Sequence, residues 1–279
     1  MVDLRAWRAG FEAAQVQALW FTVGVLAMLL LAAAITTQAA QVVQSVLLAV
    51  GIGYAVLMLV QWIAGYDPTG LFFGSPRYAA ALLAVVLPLS SKRLAAILVA
   101  GLVAGQSYLA LLAGAVGLLA QPRWRREARW IAPALIVGAL AIFALRSGPS
   151  GPPWPVWQTR LEAYSLAVSD LREHPWLGFG PGGWITTIPF RQIKEGQTDL
   201  FTRPHSELLG WIYEEGLVGL ALLVGWVTAN ARTLWASDVV GALAALTTLA
   251  VGLHVFHIAA LVPWLVLVLA LGLREVRHG

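Results

Sequence analysis

The sequence predicts an all-α fold: a polytopic membrane helix bundle of about eight spans, with one large external loop that contains an amphipathic helix. Three observations predict it. The 279 residues are 59% hydrophobic and 11% charged, with a mean hydropathy of +0.76, whereas a soluble domain carries about 25% charged residues. The apolar residues gather into runs near 12–36, 40–63, 78–90, 94–120, 130–146, 207–230, 238–257 and 259–273, and a span needs roughly 20 of them. Several of the 13 tryptophans flank those runs, at Trp20, Trp62, Trp124, Trp130, Trp226 and Trp264, where interfacial anchors sit.

The first run follows Arg5 and Arg8. Nothing after it resembles a small-residue cleavage site, so it is expected to stay as a span rather than leave as a signal peptide. The runs at 40–63 and 78–90 follow, separated by a loop at 64–76 whose side of the membrane the sequence leaves open. The run at 94–120 is awkward. As one helix its 27 residues would rise about 40 Å, against a hydrocarbon core of roughly 30 Å. Two short halves meeting at Gln106-Ser107 fit better, because Lys92-Arg93 at the start and Arg123, Arg125, Arg126 and Arg129 at the end then face the same, cytoplasmic side. Arg274 and Arg277 put the C-terminus on that side as well. The domains are therefore 1–146, N-terminal spans; 147–205, an external loop; and 206–279, C-terminal spans.

The external segment opens with the turn-rich Ser147-Gly-Pro-Ser-Gly-Pro-Pro153. Val156 to Glu173 reads as an amphipathic helix with Trp157, Leu161, Tyr164, Val168 and Leu171 at helical spacing, ended by Pro175. Leu177-Gly-Phe-Gly-Pro-Gly-Gly183 is too glycine-rich for regular structure and reads as a tight loop. The segment balances Arg160, Arg172, Arg191, Lys194 and Arg203 against Glu162, Asp170, Glu173, Glu195 and Asp199. That balance argues against a polyanion-binding patch, and the net charge of +4 is read as a topology signal; no nucleic-acid partner is implied. With no cysteine, thiol catalysis and structural disulfides are excluded. No P-loop, zinc signature or nucleophile elbow is present. Gly178-x-Gly180-x-x-Gly183 mimics a nucleotide fingerprint, but it follows a helix and is rejected.

Chemistry is expected where Arg203-Pro-His-Ser-Glu207 opens the apolar run that carries Glu214 and Glu215, since ionisable groups near a bilayer are costly without a partner or task. Thr202 is the expected N-cap, with Pro204 and His205 in the first turn. A helix N-terminus suits a phosphate, and Arg203, with Arg160 or Arg191 from the loop, supplies guanidinium forks for phosphate oxygens. Neutral imidazole can take a proton from a hydroxyl. The same position equally suits an interfacial histidine solvated by headgroups. Glu214 and Glu215 fit either an orienter or proton relay in the bundle or a pair in the headgroup zone. Gly210, Gly216 and Gly219 read as packing glycines. His254 and His257 share a helix face, but no third ligand completes a metal site, and none is expected.

The pattern His205-Ser206, nine residues, Gly216-x-x-Gly219 resembles the signature of the bacterial O-antigen ligase and polymerase family. Three further stretches resemble that family: His174-Pro-Trp-Leu-Gly-Phe-Gly-Pro-Gly-Gly183, Arg160 in its amphipathic helix about 45 residues before the histidine, and Gly70-Leu-Phe-Phe-Gly-Ser-Pro76. The resemblance covers roughly 70–270. It implies a multi-pass enzyme of the bacterial inner membrane, active on the periplasmic face. Such enzymes move a glycan from a polyprenyl-diphosphate carrier to a sugar, lipid-sugar or protein hydroxyl, without cofactor or metal. It further implies that His205 is the general base and that Arg160 holds the diphosphate, with Gly178, Gly180, Gly182 and Gly183 in the family's loop. From the residues themselves, Glu215 is a candidate orienter and Arg203 and Arg191 are further diphosphate ligands. Ser107-Tyr108 stands where the family has a Ser-Arg pair, and fewer spans precede the shared region than in many relatives. These departures keep two alternatives open: a non-catalytic, pared-down member that serves as a binding or assembly subunit, and a small-solute transporter.

Overall fold

A computed structural model of the protein describes residues 37–66, 76–146, 154–180, 182–196, 206–236 and 239–252. Nine helices run through the described residues, and no strand occurs among them. They are α1 (Thr37–Ile63), α2 (Pro76–Val86), α3 (Lys92–Ala104), α4 (Tyr108–Ala120), α5 (Arg125–Arg146), α6 (Trp154–Leu171), α7 (Gly183–Lys194), α8 (Glu207–Ala236) and α9 (Val240–Gly252). Three stretches are long and apolar enough to cross a membrane: Gln38–Ile63, Pro122–Leu145 and Glu207–Gly225. Pro76–Leu89, Tyr108–Ala120 and Val240–Val251 are apolar but shorter. The expected spans at 12–36 and 259–273 lie outside the described residues.

The awkward run at 94–120 is two helices, α3 and α4, of 13 residues each. Each rises about 20 Å, short of a bilayer core. The chain turns at Gly105 and Gln106, and Gln106 takes a left-handed φ of 46°. Ser107 then caps α4, its Oγ accepting the Ala110 N–H at 3.4 Å.

The described residues divide into two compact units. One holds those of Val25–Arg146 and Asn230–Leu249, the other those of Ser147–Ala229 and Ala250–His257. In the first, α2 is the innermost element, buried without a break from Ala79 to Leu89. Small residues bring its helices together: a Cβ on Gly101 would stand 2.6 Å from the Ala55 backbone, and one on Gly117 2.8 Å from the Gly241 carbonyl oxygen. At one end Arg123 and Trp124 both donate to the Pro88 carbonyl, at 2.6 and 3.2 Å. Lys92 pairs with Glu127 at 2.5 Å. Lys92 and the arginine cluster therefore share one end of this unit, as the split of 94–120 requires. Gln121, 2% exposed, accepts the Gly241 N–H at 2.9 Å and so caps the first turn of α9.

In the second unit α6, α7 and the first half of α8 enclose a small core of Ala163, Leu166, Ala167, Trp184, Ile188 and Tyr213. The side of α6 that packs on this core carries Ala163, Leu166, Ala167 and Asp170, while Leu161 and Val168 of the apolar periodicity remain 61% and 50% exposed.

Candidate functional site

Helix α8 begins one residue after Ser206. The buried Ser206 hydroxyl accepts the Leu209 N–H at 3.3 Å, and its carbonyl accepts the Gly210 N–H at 3.0 Å. Ser206, rather than the expected Thr202, is therefore the N-cap; both residue types cap well, and only the hydrogen bonds distinguish them. Thr202, Arg203, Pro204 and His205 lie outside the described residues. Chain connectivity puts His205 one residue before the cap.

Two turns into α8, Tyr213 is fully buried. Its ring stacks on Phe179 at 4.6 Å and meets Trp184 edge-on at 5.4 Å. Its hydroxyl donates to Asp170 Oδ2 at 3.2 Å and lies in hydrogen-bond reach of Thr187 Oγ1. The other oxygen of Asp170 accepts Arg191 Nη1 at 2.6 Å. Asp170 is 4% exposed, so one buried carboxylate joins a cation on α7 to a phenol on α8. Sequence reading had counted Asp170 only as one acid among five, and had given Tyr213, Trp184 and Thr187 no role. A polar residue on the small-residue face of α6 was the one available signal.

The tight loop expected over Leu177 to Gly183 ends at Gly182, and Gly183 instead opens α7. The loop's most informative feature is where it binds. Helix α8 breaks at Gly216, whose φ is 65° and ψ −165°, so the residues on either side lose intrahelical partners. The loop supplies them. The Tyr213 and Glu214 carbonyls accept the Phe179 and Gly180 N–H groups at 3.0 and 2.8 Å, and the Leu217 and Val218 N–H groups donate to the Pro175 and Trp176 carbonyls at 2.8 and 3.0 Å. Backbone groups shielded from water are costly when unpaired, and the loop pairs these four. The approach leaves no room for side chains. A Cβ on Gly178, whose φ is +63°, would stand 2.5 Å from the Tyr213 carbonyl oxygen, and one on Gly216 would stand 2.6 Å from the Gly178 nitrogen. Gly216 is thus a helix break that receives the loop, not a packing glycine in a continuous helix.

The adjacent carboxylates take different roles. Glu214 Oε1 accepts the Trp184 N–H at 3.3 Å in the first turn of α7, where a carboxylate also complements the helix dipole. Glu215 is partly buried beside the break, its Cβ against Gly219. Arg160 is partly buried and lies on the same face of α6 as Ala163, Ala167 and Asp170, about 15 Å along the axis from Asp170. The structure thus gathers Arg160, Arg191, Gly178, Gly180, Gly182, Gly183 and Glu215 into one unit with the N-terminal half of α8. Basic side chains on two helices and a helix N-terminus can hold an anion. No group of three potential metal ligands occurs among the described residues; His254 and His257 lie outside them.

In the other unit, Ser107 serves as the α4 cap and the Tyr108 ring meets Phe143 edge-on at 5.5 Å. Of the segment Gly70 to Pro76, only Pro76 is described, at the start of α2.

A protein-family model described as O-antigen ligase matches residues 79–224, just over half of the 279 residues. The matched segment takes in Arg160, the glycine loop, Arg191, Arg203, His205 and Gly216. Curated proteins gave no match.

Proposed function

The chain belongs to the O-antigen ligase family, and on that premise we propose that it transfers a glycan from a polyprenyl-diphosphate carrier to an acceptor hydroxyl at the outer face of the bacterial inner membrane. Membership carries the coarser statement, an O-antigen ligase-like membrane glycosyltransferase. The finer one rests on the residues of the second unit. Arg160, Arg191 and Arg203 hold the diphosphate, where bidentate guanidinium contacts are strongest. His205, at the mouth of α8, takes the proton of the acceptor hydroxyl as its oxygen attacks the anomeric carbon. The bond to the diphosphate breaks, and the arginines stabilise the charge that develops on the departing phosphate oxygen. Glu215 is the candidate orienter of the base. The donor glycan and its polyprenyl carrier are the partners, with a sugar, lipid-sugar or protein hydroxyl as acceptor. No cofactor is invoked.

The observation that supports this most strongly is the interlock at Gly216. It ties the loop at 174–180 to the helix that follows Ser206, and so joins the glycine-loop motif to the described part of the histidine motif, Ser206 to Gly219. A second reading, a non-catalytic assembly subunit, is favoured by Tyr108, which stands where the family has an arginine and packs on Phe143. Membrane vesicles that carry the protein, with a polyprenyl-diphosphate-linked glycan and candidate acceptors, separate the two. Transfer should release polyprenyl diphosphate in step with glycosylated acceptor. Donor binding without release, across several acceptors, would favour the subunit reading.

A further inference from the structure

Asp170 has no part in the proposed transfer, yet it is the most deeply buried carboxylate of the second unit for which exposure is described. At 4% exposure, such a group is costly unless its partners are well placed, and an apolar residue of similar size would hold the helices together at least as well. What a carboxylate adds is orientation. One oxygen takes Arg191 Nη1 at 2.6 Å and the other takes the Tyr213 hydroxyl at 3.2 Å. Arg191 has five N–H donors in a fixed fork, and its side chain is 41% exposed. A guanidinium held at one nitrogen keeps donors for an anion outside. Tyr213 is fixed in turn by its stack on Phe179 and by Thr187, and it lies eight residues beyond His205 on the same stretch of chain.

We infer that Asp170 is a positioning residue for the donor site: its buried carboxylate sets the Arg191 fork on α7 against the α8 half-helix that follows His205, in register for the diphosphate. The inference rests on the transferase reading above. It predicts a cost in donor recognition rather than in chemistry. Asp170 also offsets the positive charge of Arg191; if charge mattered more than orientation, neutralising Asp170 would tighten donor binding.

The test is steady-state transfer by the detergent-purified full chain, with a polyprenyl-diphosphate-linked glycan as donor. Asp170→Asn should raise the donor KM about tenfold with kcat within about threefold, a discrimination of about 1.4 kcal/mol, and leave the acceptor KM unchanged. Arg191→Ala should raise the donor KM at least as much. Asp170→Asn combined with Arg191→Ala should add little, the non-additivity expected of residues that act as one unit. An unchanged or lowered donor KM in Asp170→Asn, or full additivity, overturns the inference. Should Asp170→Asn fail to fold, Tyr213→Phe keeps the ring stack and both charges while removing one tether. It should raise the donor KM severalfold, and an unchanged value there also overturns the inference. Absence of transfer by the wild-type chain across several donors and acceptors would sink the transferase reading instead, so the two failures are distinguishable.

Discussion

Two glycines of one loop make a controlled pair. Gly178 and Gly180 both adopt left-handed backbone, with φ of 63° and 79°. A Cβ on Gly180 would meet nothing within 4 Å, whereas one on Gly178 would stand 2.5 and 2.6 Å from the Tyr213 and Glu214 carbonyl oxygens. Alanine at Gly180 therefore incurs only the conformational cost, about 1–2 kcal/mol for an L-residue in that region. Alanine at Gly178 incurs the same cost and also forces apart two backbones joined by four hydrogen bonds. Each bond contributes roughly 0.5–1.5 kcal/mol net, and more when a buried group is left unpaired. Losing two of them brings the total for Gly178→Ala to about 2–5 kcal/mol, a large part of the stability of a domain. Thermal unfolding of the purified variants, with hydrogen exchange at residues 213–218 as a local readout, measures the difference. Gly178→Ala should melt far below Gly180→Ala and lose protection at Leu217 and Val218. Equal destabilisation by the two, or protection retained in Gly178→Ala, would refute the interlock.

Two further outcomes follow from single hydrogen bonds. Gln121→Leu leaves the Gly241 N–H without its acceptor in a buried turn, so it should cost roughly 1–3 kcal/mol in denaturant unfolding; a neutral result would mean that Gln121 does not cap α9. Glu214→Gln keeps an oxygen for the Trp184 N–H and should be nearly silent, whereas Glu214→Ala should cost about 1 kcal/mol, as for a lost cap. Similar melting points for the two variants would remove the capping role.

Much of this architecture was legible from local constraints. A run long for one span, interrupted by Gln106-Ser107 and flanked by basic residues at both ends, favours splitting over one long helix, and α3 and α4 are the two halves. The density of glycine at 178–183 pointed to a loop, and one stands there up to Gly182, although Gly183 already opens α7. Three features escaped. The start of α8 was misplaced because Thr202 and Ser206 are both good caps, and sequence cannot tell which one meets the N–H groups of a first turn. The face of α6 that meets protein could not be read from its apolar periodicity, which marks Leu161 and Val168, both exposed, whereas Ala163 and Ala167 are buried. The network of Asp170, Arg191 and Tyr213 spans 21 and 43 residues of chain, and no local pattern encodes such a meeting. The break at Gly216 lay between these cases. Its glycine was conspicuous, but the left-handed turn became apparent only with the loop that fills it.

The central claim is that His205 serves as the base of a glycan transfer. Wild-type protein and His205→Ala, reconstituted into vesicles with a polyprenyl-diphosphate-linked glycan and an acceptor, would be compared in a single measurement of glycosylated product against time. General-base catalysis contributes typically 10²–10⁴-fold, so the variant should bind donor normally and form product at least about a hundredfold more slowly. Product formation by His205→Ala at the wild-type rate would contradict it.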